Sequence, residues 1–108
     1  MFLVGVALLL AGYDHEGPQL YHIGPEGSYS QWEARAIGTG SEGAQNELQT
    51  EYRKDLTLEE GLQLSLKVLK QVMEEKLSST NVEVATVTKE HGYKILPIDQ
   101  VSTIISTL

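Results

Sequence analysis

The chain has 108 residues, which fits a single domain, and it carries a net charge of −7 and no cysteine. Its basic residues are scattered, which argues against nucleic acid or an anionic membrane as a partner, because both attract clustered Lys and Arg. Without cysteine, this sequence has no disulfide, thiolate zinc site or cysteine nucleophile, and a reducing compartment fits it slightly better.

The chain opens with an apolar run, Phe2–Gly12. No Lys or Arg precedes this run and its end is a poor cleavage site, so a strand is favoured over a secretory signal. The run is also too short to span a bilayer. We therefore predict a strand over Leu3–Tyr13, buried on both faces, because continuous apolar runs are typical of such strands.

Two further strands are predicted at Gln19–Ile23 and Tyr29–Ile37, separated by turns rich in Gly and Pro. In the last of these, polar and apolar residues alternate, which predicts Trp32 and Ala34 on one face and Arg35 on the other. This pattern indicates an antiparallel meander.

Helical periodicity then begins. A first helix is predicted over Glu42–Lys54 with Ser41 as its N-cap. A second is predicted over Leu58–Leu77, opened by a capping box between Thr57 and Glu60. Its apolar stripe is wide enough to indicate contact with two surfaces, a sheet beneath it and a further helix or another subunit.

The C-terminal part predicts a hairpin, with strands at Val82–Thr88 and Tyr93–Leu96, and a last helix capped by Asp99 with Val101 on its inner face. Pro97 cannot donate to a ladder, so the second strand of the hairpin should end there. Antiparallel strands with segregated helices make an α+β fold.

The segment Gly38–Gly43, here called the glycine turn, matches G-x-G-x-x-G between a strand and a helix. A dinucleotide site would need a parallel strand after that helix and an acidic residue about twenty positions on. The next element is instead another helix, and Glu42 would place a carboxylate where the pyrophosphate lies. We therefore interpret the segment as a turn that uses glycine for tight geometry and close helix–sheet packing.

No other pattern predicts a catalytic, cofactor-binding or metal-binding residue. His15, His22 and His91 fall on separate turns or strands, without the spacing of a metal site. Ser78 and Ser79 lie in a predicted loop rather than in a G-x-S-x-G turn. Neighbouring carboxylates of the second helix, Glu59-Glu60 and Glu74-Glu75, splay apart and indicate a solvated face.

Several segments resemble proteasome alpha-type subunits. The strongest is Ala34–Gln45, which contains Ala-Arg-Ala-Ile-Gly and then Ser-Glu-Gly-Ala-Gln. Gly5–Leu9 with Gly17–Leu20, the turn Pro25–Ser28, and the helical segments Thr57–Glu60 and Leu69–Leu77 match in the same order. Ser41–Gln45 and Lys70–Leu77 are similar to the type-5 class of that family. At Met1–Val4 the chain departs from the family's usual Arg-Pro-aromatic sequence.

The resemblance implies the second half of a four-layer αββα sandwich of the N-terminal nucleophile hydrolase-like type. It implies that residues 1–108 are the C-terminal part of such a domain, without its N-terminal half. Alpha-type subunits form the outer rings of the proteasome core particle and are not catalytic, so no catalytic, cofactor or metal residue is expected. Neighbouring alpha-type and beta-type subunits are the implied partners, and the cytoplasm and nucleus the implied location.

Three functions follow as hypotheses. The first is a structural, non-catalytic subunit of the alpha ring in ubiquitin-dependent protein degradation. The second is a truncated paralogue or gene-model fragment that no longer assembles. The third, disfavoured by the sequence context, is a nucleotide-binding domain using Gly38–Gly43.

Overall fold

A computed structural model describes residues 7–108. The predicted strand residues 3–6 therefore lie outside the described residues. The elements in chain order are β1 (Leu8–Asp14), β2 (Gly17–Ile23), β3 (Tyr29–Gln31), α1 (Ser41–Glu51), α2 (Leu58–Val72), β4 (Ala85–Thr88), β5 (Gly92–Ile95) and α3 (Ile98–Ser106). The presence of both helices and antiparallel strands confirms the predicted α+β class.

β1, β2 and β3 form an antiparallel meander in that order. β1 pairs with β2 from Leu8 opposite Ile23 to Asp14 opposite Gly17. The Asp14 side chain accepts a hydrogen bond from the Glu16 amide at 2.9 Å and so closes the turn between them. β4 and β5 form a separate antiparallel hairpin that starts and ends within a few residues of its predicted bounds.

The prediction that β1 is buried on both faces is wrong for this chain. Leu8, Leu9 and Leu10 are 37%, 39% and 60% exposed. Successive side chains of a strand point to opposite faces, so both faces of β1 are open to solvent. The reason is the position of the strand. β1 is an edge strand, and the described helices do not cover its apolar residues.

β3 is also much shorter than predicted, because only Tyr29–Gln31 pairs with β2. The Trp32 amide still donates to the Leu20 carbonyl at 2.9 Å, and the ladder then ends. Beyond it, a side chain from α1 replaces a strand partner. Gln45 accepts from the Ala36 amide at 2.9 Å and donates to the Ala34 carbonyl at 3.2 Å. The alternation of faces predicted for Trp32 and Arg35 therefore does not hold.

The predicted N-cap of α1 is wrong. Gly40, not Ser41, occupies that position, with φ of 80°, and no side chain caps the helix. A left-handed cap favours glycine, which adopts positive φ without steric cost. α1 ends at Glu51, three residues before the predicted Lys54, because Tyr52 is extended.

The capping box of α2 is confirmed. The Glu60 amide donates to Thr57 Oγ1 at 3.2 Å, and the Thr57 amide donates to Glu60 Oε1 at 3.0 Å. α2 has 15 residues, about 22 Å at ~1.5 Å per residue, and ends at Val72 rather than Leu77. Glu74 and Glu75 would have lain at the negative end of the helix dipole, which disfavours continuation.

α3 begins after Pro97, and no side chain caps it. The predicted capping role of Asp99 is therefore wrong. Asp99 lies in the first turn, where its carboxylate still complements the helix dipole. β5 ends at Ile95, as expected from the proline, and Val101 is buried on the inner face of the helix as predicted.

The buried core is small and lies among the helices and the C-terminal hairpin. Its members come from α1, α2, α3 and the loops beside them: Ala44, Leu66, Val68, Leu77, Leu96 and Val101. The predicted stripe of α2 is only partly buried, since Leu58 and Leu69 are 53% and 38% exposed. No helix between residues 7 and 108 combines the length and apolar character needed to cross a bilayer.

Candidate functional site

The glycine turn joins the end of the meander to α1 and packs against the end of α2. Gly38 and Gly40 have φ of 97° and 80°, a region that favours glycine. The Ser41 amide donates to the Gly38 carbonyl at 3.1 Å. A Cβ on Gly40 would lie 3.2 Å from Cβ of Val72, so the backbone approaches α2 closely. The predicted use of glycine is therefore observed, although the close contact is with a helix and not with the sheet.

The described fold gives the G-x-G-x-x-G sequence no dinucleotide-binding context. Every strand pair between residues 7 and 108 is antiparallel. α1 leads into α2 rather than into a parallel strand. Glu42 carries a carboxylate in the first turn of α1, where a pyrophosphate would have to bind. The geometry thus favours a packing role for the turn.

The segment before the glycine turn carries a cluster that the sequence did not predict. The Arg35 guanidinium lies over the Trp32 ring, 4.4 Å from the ring centroid. The Gln45 side chain holds the backbone on either side of Arg35 through Ala34 and Ala36, and this pair of hydrogen bonds is here called the Gln45 clamp. The alternating pattern of a strand could not predict this cluster, because the cluster arises from the loss of strand geometry after Gln31.

The histidines considered as metal ligands lie apart in the fold. His15 lies in the β1–β2 turn, exposed beside Glu16 at 3.9 Å. His22 is on β2 opposite Leu9, which agrees with its predicted place on a strand. His91 is in the β4–β5 turn, where its amide donates to Thr88 Oγ1 at 3.1 Å. Within residues 7–108 no three His, Asp or Glu side chains converge as a metal site.

The hydroxyl candidates have local structural roles. Ser78 Oγ lies 2.8 Å from Thr80 Oγ1 in the loop after α2. Thr57 Oγ1 is engaged in the capping box. Neither hydroxyl has a histidine base among its described hydrogen-bond partners, so neither has the partner that activates a serine or threonine nucleophile.

Two carboxyl groups, those of Glu26 and Glu60, have a lowered pKa. Hydrogen bonding to the Thr57 amide and hydroxyl lowers the pKa of Glu60, and Arg53 nearby adds to the effect. A hydrogen bond from Ser28 lowers the pKa of Glu26 in the turn before β3. Both side chains are solvent-exposed and stabilise a cap or a turn, so these pKa shifts have a structural cause and do not mark an acid–base site.

Exposed apolar residues are the most prominent surface feature. They are spread over β1, β3, α2, β5 and α3: Leu8, Leu9, Leu10, Tyr13, Tyr29, Leu58, Leu69, Tyr93, Ile95 and Ile98. Single exposed apolar residues are ordinary, but three consecutive leucines on an edge strand are not. Such surfaces typically bury against another chain or another layer of the same protein.

Comparison with known proteins identifies the class. The family model described as proteasome subunit matches residues 1–87. The chain therefore belongs to the proteasome subunit family, as the resemblance of Ala34–Gln45 predicted.

Within that family the similar proteins are alpha type-5 subunits. A probable proteasome subunit alpha type-5 of Schizosaccharomyces pombe is 62% identical over 91 residues, covering 84% of this chain and 37% of the relative. The alpha type-5 subunit of Dictyostelium discoideum is 51% identical over 105 residues, covering 96% and 44%. That of Drosophila melanogaster is 54% identical over 97 residues, covering 90% and 40%. The chain thus spans about two fifths of the length of these relatives.

Proposed function

We propose that this chain works as part of a non-catalytic alpha-type subunit in the alpha ring of the proteasome core particle. The observation that carries the proposal is the identity of 62% and 51% to alpha type-5 subunits over most of this chain. In this role the chain supplies packing surfaces in ubiquitin-dependent protein degradation. Neighbouring alpha-type and beta-type subunits are its partners.

The exposed surfaces of the chain support a role in assembly. Leu10 on β1 and Ile98 on α3 are 60% and 67% exposed, although burial of such side chains is favourable by ~1.5–3 kcal/mol each. A partner layer that covers the exposed part of each side chain would gain about two thirds of that free energy, ~1–2 kcal/mol each. We assign the layer facing β1 to the remaining sheet of a four-layer αββα sandwich, of which this chain supplies the C-terminal part.

A ring component requires no active centre of its own, so the hydroxyl and carboxyl groups described above need only structural roles in this proposal. Their hydrogen bonds hold caps, turns and loops. The proposed location is the cytoplasm and nucleus. Fractionation of cells that express the tagged chain would test that location.

Co-purification with other subunits tests the assembly role. The tagged chain would be expressed in eukaryotic cells, and core particles would be isolated through a different alpha-type subunit. Leu69→Glu places a charge on an exposed apolar position of α2, whereas Lys70→Gln changes the net charge equally at the adjacent position. We expect wild type and Lys70→Gln to co-purify and Leu69→Glu to be depleted at least about 5-fold, because up to about 1 kcal/mol of apolar burial is lost and a carboxylate would be buried in its place.

The competing hypothesis is a truncated relative that does not assemble. The small buried core and the exposed edge strand β1 support this hypothesis. In that case none of the three proteins would co-purify. The isolated chain would then bind a hydrophobic dye and lack near-ultraviolet circular dichroism, as loosely packed states do.

A further inference from the structure

We draw no further inference here: the strongest candidate, the open apolar face of the β1–β2–β3 meander that carries Leu8, Leu10 and Tyr29, is already assigned to the contact between the two sheet layers of the αββα fold, and nothing in the structure shows what else would cover it.

Discussion

Replacing Gln45 by methionine should lower the free energy of unfolding, because this one substitution removes two hydrogen bonds to the backbone. The Gln45 clamp makes two part-buried hydrogen bonds, at 2.9 Å to the Ala36 amide and at 3.2 Å to the Ala34 carbonyl. Methionine has a similar volume and helix propensity, so packing and the helix itself should change little. The variant therefore isolates the loss of two backbone partners.

The expected cost follows from these two bonds. A net contribution of ~0.5–1.5 kcal/mol for each predicts a loss of about 1–3 kcal/mol in the free energy of unfolding. Gln45→Glu keeps an acceptor for the Ala36 amide and loses the donor to Ala34. At neutral pH its second carboxylate oxygen would face the Ala34 carbonyl, and two acceptors repel each other, so its loss should be at least as large as that of Gln45→Met.

Urea unfolding followed by circular dichroism measures both values. The control is Gln49→Met, one turn further along α1 at an exposed position. It should change the unfolding free energy by less than about 0.5 kcal/mol. Equal losses for Gln45→Met and Gln49→Met would refute the idea that a glutamine side chain replaces a strand partner here.

The remaining predictions concern the glycine turn and a helix cap. Gly40→Ala should lower the free energy of unfolding by about 1–2 kcal/mol, because the φ of 80° at Gly40 is left-handed. Gly43→Ala within α1 should instead raise it by ~0.5–1 kcal/mol. Urea unfolding curves of both variants would check these values, and a loss of stability in both would contradict the prediction. The lowered pKa of Glu60 implies stability that is present above pH 4.5 and is lost as the pH falls through the folded-state value. Glu60→Gln should remove that dependence and Glu59→Gln should keep it, and unchanged pH profiles in both would contradict the capping assignment. A thermal-shift titration with millimolar NAD or ATP should show no change, whereas a clear rise in Tm would restore the nucleotide-binding hypothesis.

Local chemistry was sufficient to predict the order of the elements. The capping box at Thr57 and Glu60 depends on residues three apart, and both of its hydrogen bonds form. Likewise, turn residues between short apolar runs predicted the meander and the hairpin. Such features depend on neighbours in sequence, so a sequence pattern can show them.

Features that depend on distant residues were not predictable in this way. β3 ends at Gln31 and its continuation is held by Gln45, a residue 14 positions later in the sequence. The exposure of β1 depends on which layers cover it, and an apolar run alone cannot show that. The alternation of a strand predicted Arg35 and Trp32 on opposite faces. The two side chains come into contact because the strand ends before them.

The cap of α1 shows a third kind of difference. Side-chain preference favoured Ser41, but the backbone placed Gly40 in the left-handed region one residue earlier. A glycine at that position decides the start of the helix by conformational freedom rather than by a hydrogen bond. Sequence preference for polar caps therefore gave a boundary that was wrong by one residue.

Native mass spectrometry of core particles tests the proposed alpha-ring function most directly. Particles would be purified from cells that express the tagged chain, through an alpha-type subunit other than type 5. The proposed function predicts a species whose mass includes this chain. Particles that contain every other alpha-type subunit and never this chain would contradict it.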